Sequence, residues 1–321
     1  MKFLALAVTL LLSALTSIAQ AEEWPARPVR IIAPFAPGGT ADTLGRVAAE
    51  QLSDAFGQQF FVENRPGAGG VTASLAVARM EPDGYNFVVS GIATHAIAPI
   101  MNPNTGYDPV HDFTHVAYFG GPPIVLIAPV GLDVKSLSEL VAYAKSRNEK
   151  LTFASPGTGT SGHLVAEYFA QKSGIAIEHI PYRGAAPGVM DVVAGHLRFG
   201  SMTWTTAAGQ IAAGTVVPLA VSSPQRLADF PTIPTFKESG YPDLVSTTWF
   251  ALAGPARLPG DIVAKINREV IKALAKPDVQ SRLKVEQILT EPLTPEQLTA
   301  FVAAEYARWR PIAEQIQLKA N

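Results

Sequence analysis

Cysteine is absent from all 321 positions, so the chain has no disulfide scaffold, no thiolate metal site and no cysteine nucleophile. Charge is sparse as well. Asp, Glu, Lys and Arg make up 16% of the residues, and 25 basic against 27 acidic side chains leave a net charge of −2. That balance argues against nucleic acid as a partner, because such affinity comes from a basic patch. Beyond the N-terminal segment no apolar run reaches the ~18 residues that read as a membrane span. There is no Gly-x-Ser-x-Gly elbow and no His-Glu-x-x-His zinc motif. What the chain has in quantity is apolar side chains, 48% of the total, ample for a packed core and too many for disorder. At ~100–200 residues per domain, the length suggests two domains.

The N-terminus reads as a targeting signal. Lys2 supplies a short positive region, residues 3–15 are almost wholly apolar, and Ala19-Gln20-Ala21 fits the small-x-small cleavage pattern. The expectation is a cleaved signal over residues 1–21; an uncleaved anchor is the alternative. A cysteine-free exported chain of this size fits the periplasm of a Gram-negative bacterium, where core burial replaces disulfides.

The rest alternates strand-like and helix-like segments, which predicts an α/β fold with mostly parallel sheets. Strands are expected over 29–33, 59–63 and 86–90, then over 124–129, 151–155, 175–180 and 216–221, with a further one near 249–254. A helix from about Thr40 carries Leu44, Ala48, Leu52 and Phe56 on one face and stops at Gly57. A second should run over 136–147, and a third past Gly162 to Gly174. A helix opened by Asp261 should end at Pro277. Thr294-Pro295-Glu296-Gln297 is a capping-box start for a tail helix striped by Leu298, Phe301, Val302, Trp309 and Ile312. The two halves share one plan, suggesting two lobes joined near Ile124 and Trp249.

Two glycine-rich turns carry the chemistry, residues 34–39 and 156–162. Each ends a strand and opens a helix. Glycine lets backbone approach a ligand, and the free amides of a first helical turn attract anions. One turn per lobe makes a cleft that can hold an anion without lysine or arginine. The run 157–162 also matches Gly-x-Gly-x-x-Gly with Glu178 on the next strand, but Glu178 falls inside that strand and the nicotinamide reading is weak. Ser161 and His163 are two apart, so they do not face one another, and Ser161 reads as a helix cap. His111 and His115 read as solvated loop histidines rather than a metal site. Asp42 lies in the first helical turn, where it favours the helix dipole or reaches the cleft.

Residues 34–42, 63–70, 82–85, 181–187 and 231–236, with Trp249-Phe250 and the tail, resemble in order the motifs of the Bug family, the tripartite tricarboxylate transporter receptors. The resemblance covers nearly the whole chain after the signal. It implies a two-lobed periplasmic-binding-protein fold of type II, each lobe a mainly parallel sheet flanked by helices, with two hinge strands. Residues 22–124 and 250–321 would form one lobe and 125–249 the other. It implies a monomeric, non-enzymatic periplasmic receptor without cofactor or metal. Such a receptor binds a small organic carboxylate and delivers it to the small and large membrane subunits of a tripartite transporter. The ligand set it suggests is Phe35, Pro37, Gly38, Gly39, Thr40 and Asp42 from the first turn, with Thr94 and His95. From the second lobe come Ser155, Thr158, Gly159, Thr160, Ser161, Arg183, Gly184 and Trp204. Arg183 stands where lysine is usual, and Arg198 and Met202 where aspartates are common. Whether Met202 and Trp204 face core or ligand is open at this point. With no evident acid beyond Asp42, a non-amino organic acid is expected. A secreted α/β hydrolase and a ligand-presenting sensor subunit are the competing readings.

Overall fold

The computed structural model describes residues 23–147, 150–244, 248–288 and 290–316. The expected signal, residues 1–21, lies outside them, as does the side chain of Ile312.

The apolar runs pair into two five-stranded sheets. The first contains β1 (Val29–Ala33), β2 (Phe60–Asn64), β3 (Asn86–Gly91), β4 (Phe113–Gly120) and β10 (Phe250–Pro255), in the order β2-β1-β3-β10-β4. The second contains β5 (Ile124–Pro129), β6 (Leu151–Ser155), β7 (Ile177–Pro181), β8 (Phe199–Thr203) and β9 (Val216–Val221), in the order β7-β6-β8-β5-β9. β1 runs parallel to β2 and β3, while β10 runs antiparallel to β3 and β4. The second sheet repeats this pattern, with β5 antiparallel to β8 and β9. Each sheet is therefore mixed: four strands share a direction, and the reversed one is the strand that arrives from the other lobe.

Helices cover both sheets: α1 (Thr40–Phe56), α2 (Val71–Ala78), α3 (Ala98–Met101), α4 (Leu137–Ser146), α5 (Ser161–Ser173), α6 (Ala185–Val193), α7 (Trp204–Ala212), α8 (Gly260–Leu274), α9 (Pro277–Val285) and α10 (Pro295–Ile316). α1 follows its sequence pattern. Leu44, Ala48 and Leu52 are buried in the first core, and Gly57 closes the helix in the left-handed region at φ 65°. Several elements carry no clear sequence signal. α6 contains Pro187 and Gly188, which read as a turn, yet Pro187 sits in the first turn where its missing N–H costs nothing. β8 is buried at all five positions and shows no alternation. Pro277 opens α9 rather than merely ending α8. Among the described residues no helix is long and apolar enough to cross a membrane.

The chain passes between lobes after β4 and again before β10, and the two passages touch. Thr248 N–H donates to the Pro122 carbonyl at 3.0 Å, and the second passage is tied to the first lobe where Ile92 N–H donates to the Trp249 carbonyl at 3.2 Å. A Cβ at Gly121 would stand 1.7 Å from the Thr248 oxygen, so only glycine fits there.

α10 seals this junction. Its capping box forms as expected: Gln297 N–H donates to Thr294 Oγ1 at 3.2 Å, and Thr294 N–H to Gln297 Oε1 at 2.9 Å. Deeper in, Glu305 Oε2 accepts the indole N–H of Trp249 and of Trp309, each at 3.1 Å. All three residues are buried. Glu305→Ala leaves two buried donors without an acceptor, at about 1–3 kcal/mol each. The variant is expected to unfold at clearly lower urea concentration; a midpoint equal to wild type would show the tail helix does not hold the junction.

Candidate functional site

Four helices begin around one point. α1 follows the turn after β1, and α5, α6 and α7 follow β6, β7 and β8. Gly39, Thr40 and Ala41 at the start of α1 line a cavity of about 50 Å³ together with Thr160, Ser161 and Gly162, Ala185 and Thr203. Ile92, Ala93 and Thr94, where a π-helical turn begins, close it from the first lobe. Phe35, Val89, Ile124 and Phe250 supply apolar walls. Among the described residues no aspartate, glutamate, lysine or arginine lines it.

First-turn amides have no carbonyl a turn earlier to bond to. The starts of α1, α6 and α7 carry no side-chain cap. α5 is capped by Thr160, which accepts from His163 N–H, and not by Ser161, as the sequence suggested. The Ser161 hydroxyl is left to line the cavity. The positive ends of four helix dipoles therefore converge where no cationic side chain stands.

Asp42 stands in the first turn of α1, and it is already engaged. Its carboxylate accepts from Gly38 N–H at 3.0 Å, Asn64 Nδ2 at 3.0 Å and Arg46 Nε at 3.1 Å. Burial alone would raise its pKa; the bonds from Arg46, Gly38 and Asn64 outweigh that and hold it below the ordinary value. Asp42 thus shapes the first turn from behind.

The lobes meet across the cavity. Thr40 Oγ1 and Thr203 Oγ1 lie 2.7 Å apart, and Ala36 N–H donates to the Arg183 carbonyl at 2.9 Å. A Cβ on Gly69 would come within 2.4 Å of the Thr158 carbonyl. Beside the small cavity lies a second one of about 390 Å³, lined by Gly67 to Val71, Met101, Asn102, Thr158, Tyr182 and Arg183. Phe35 and Pro156 border both.

Of the residues expected from sequence, Phe35, Gly39, Thr40, Thr94, Thr160 and Ser161 line the inner cavity; Thr158, Gly159 and Arg183 line the outer one. The others stand elsewhere. Pro37 and Gly38 are exposed on the outside of the first turn, and Gly184 is buried against Ala36. Ser155 lies beneath the second turn, where its Oγ accepts the Gly157 N–H at 3.1 Å. Trp204 is fully buried in the second core against Phe230, and Met202 is buried with it. Three residues of the inner cavity carried no recognisable signal: Ala185, Thr203 and Thr248. Thr248 is 4% exposed, and its hydroxyl is among the buried polar atoms without a partner. It reaches the cavity only because the chain crosses between lobes there.

Four of the six histidines pack in two pairs. His163 Nδ1 accepts the Gly159 N–H at 3.1 Å, so this ring does not serve Ser161 as a base. Its ring stacks on His179 at 3.8 Å between centroids. In the first lobe, His95 turns away from the cavity into the core and packs on Phe113, with His115 at 5.8 Å. His111 is exposed, but His115 is buried on β4 rather than solvated in a loop. Burial pushes His115 down to about 4. Between the ordinary value of 6.5 and about 4, the unfolded chain then binds a proton that the folded chain does not. Acid therefore favours unfolding in that window, by about 3 kcal/mol from this group. The melting temperature should fall from pH 6.5 to 4, and fall less steeply in His115→Phe; parallel curves would contradict this.

The chain matches the tripartite tricarboxylate transporter family receptor profile over residues 44–318. It is 34% identical over 300 residues to protein BugT of Bordetella pertussis, covering 93% of this chain and 92% of that one. Among solved structures it resembles the periplasmic binding protein BugD, with a TM-score of 0.88 and 31% identity, covering 92% of this chain and 99% of that one. It also resembles R. palustris Rpa4515, solved with adipate, with a TM-score of 0.88 and 32% identity, covering 92% and 98%. The two mixed sheets are thus those of a known fold lineage, and the chain belongs to the tripartite tricarboxylate transporter receptor family.

Proposed function

We propose that this protein is a periplasmic solute receptor that closes its lobes on a small organic carboxylate and delivers it to the membrane subunits of a tripartite transporter. The observation that carries the reading is the inner cavity itself. It joins the starts of α1, α5, α6 and α7 with the hydroxyls of Thr40, Ser161, Thr203 and Thr248, and no cationic side chain lines it. Oriented amides and hydroxyls stabilise a carboxylate at little cost in reorganisation, and they release it again when the lobes part. Nothing in this arrangement pairs a nucleophile with a base, which favours binding over turnover.

Size and charge narrow the ligand. A water needs roughly 10–15 Å³ of such space, so a cavity of about 50 Å³ takes a carboxylate and little more. The body of the ligand extends between Phe35 and Pro156 into the chamber of about 390 Å³, where Arg183 stands. No acid lines either chamber, and an ammonium buried there without a partner would cost several kcal/mol. The ligand is therefore an unaminated acid, with room for a second anionic end.

A thermal-shift screen of mono- and dicarboxylates, adipate included, against aspartate and glutamate tests this. A ligand at 100 times its Kd adds about 2.7 kcal/mol of stability, which reads as a clear rise in melting temperature. Stabilisation by aspartate or glutamate alone would overturn the ligand class, and no response to any carboxylate would overturn the receptor reading. Thr248→Val keeps the shape and removes one free hydroxyl. Hydrogen bonds to charged groups are worth about 1.5–3 kcal/mol, so affinity for the best acid should drop roughly ten- to hundredfold. An unchanged Kd by calorimetry would show that Thr248 does not reach the ligand.

A further inference from the structure

The second-lobe turn rests on two imidazoles. The backbone is left-handed at Gly159, with φ 76°, and Gly157 has φ 141°. The Gly159 amide donates to His163 Nδ1 at 3.1 Å, and the Gly157 amide donates to Ser155 Oγ at 3.1 Å. Ser155 Oγ lies 2.6 Å from His179 Nε2. The hydroxyl can therefore accept the amide's hydrogen bond on one side and donate on the other, to the ring or to the Gly157 carbonyl at 3.1 Å. Both glycine amides are drawn inward, away from the cavity. What remains outward are the start of α5 at Ser161 and Gly162, and the Thr158 carbonyl against which Gly69 closes.

We infer that His163 and His179 are positioning residues for this turn: as neutral, stacked rings they pin its two glycine amides and so present the anion-binding helix start and the lobe-closing carbonyl. The inference rests on the carboxylate-receptor reading for its purpose, but not for its geometry. His163 can accept from Gly159 only while Nδ1 carries a lone pair. Its remaining proton then sits on Nε2, on the side of Glu167 Oε1 at 3.7 Å. The stack, with planes 14° apart, continues through Phe153 to Phe199 and brings no countercharge. β6 offers the pair Phe153 and Ser155, and β8 has no ionisable residue. Glu178, next to His179 on β7, points to the opposite face of the sheet. α10, which also packs on α5, keeps Glu305 on Trp249, Trp309 and Arg308. Among the described residues Glu167 is the acid recorded beside these rings, one countercharge for two positive rings at this separation. Burial first, then the neighbouring His163, holds His179 down near 3.

The experiment uses ¹⁵N-labelled protein without any carboxylate, so a negative ligand screen and a failure of this inference are told apart. Amide signals of Gly157 and Gly159 and the ring nitrogens of His163 are followed from pH 8 to 4. The Gly159 amide should shift, and its protection against exchange, taken relative to the intrinsic rate at each pH, should fall about tenfold as the His163 ring gains its proton, the factor one ordinary hydrogen bond is worth. In His163→Ala that amide should exchange fast already at pH 8. In His179→Ala, which leaves Ser155 without that partner, the Gly157 amide should lose protection at pH 8, and in His179→Gln, whose side chain can still take the Ser155 hydroxyl, it should keep it. A Gly159 amide that stays protected while the wild-type His163 ring takes up its proton overturns the inference, and that measurement needs no variant to fold.

Discussion

The contact between the two chain crossings governs everything else in this molecule. Gly121 lies so close to the Thr248 carbonyl that no side chain fits between them, and the bond from Thr248 to Pro122 ties the passages together. Each crossing strand enters its new sheet antiparallel to its neighbours. It thereby holds the carboxyl ends of the parallel strands of both lobes toward one another. Those ends are where an open α/β sheet starts its helices and binds its ligands. The junction therefore decides that the two binding turns face each other.

From that arrangement follows the proposed anion site, lined by no cationic side chain among the described residues. Lysine or arginine would bind a carboxylate strongly, but a full charge would lose its hydration each time the lobes close. Helix-start amides and hydroxyls avoid this, because water satisfies them in the open protein and the ligand does in the closed one. The supporting polar groups lie one layer back. Asp42 holds Gly38 from behind the first turn, and Ser155 with the two stacked histidines holds the second. On the proposed reading, the ionisable groups of this region act on backbone, and the backbone meets the ligand.

The main elements were legible where local patterns suffice. The face of Leu44, Ala48 and Leu52, the stop at Gly57, and the reciprocal bonds of Thr294 and Gln297 all depend on residues within a few positions of one another. The two glycine-rich turns were legible for the same reason. What escaped was nonlocal. β8 is buried on both faces and so shows no alternation, and α6 hides behind Pro187 and Gly188. Trp204 opens α7 next to the cavity, but its ring goes into the core, since a helix start says nothing about which way a large side chain leaves it.

By itself the sequence determined the class of this protein: an α/β chain in two similar halves, free of cysteine, with two amide-rich turns suited to an anion. It determined this because turns, caps and amphipathic faces are written within a few residues. Only the tertiary structure decided which groups share the cavity. Thr40 and Thr203 are 163 positions apart and meet hydroxyl to hydroxyl. Thr248 joins them because the chain happens to cross there, and His179 reaches Ser155 because β7 pairs in register with β6. Proximity of that kind is set by the packing of whole sheets and helices, and no short stretch of chain encodes it.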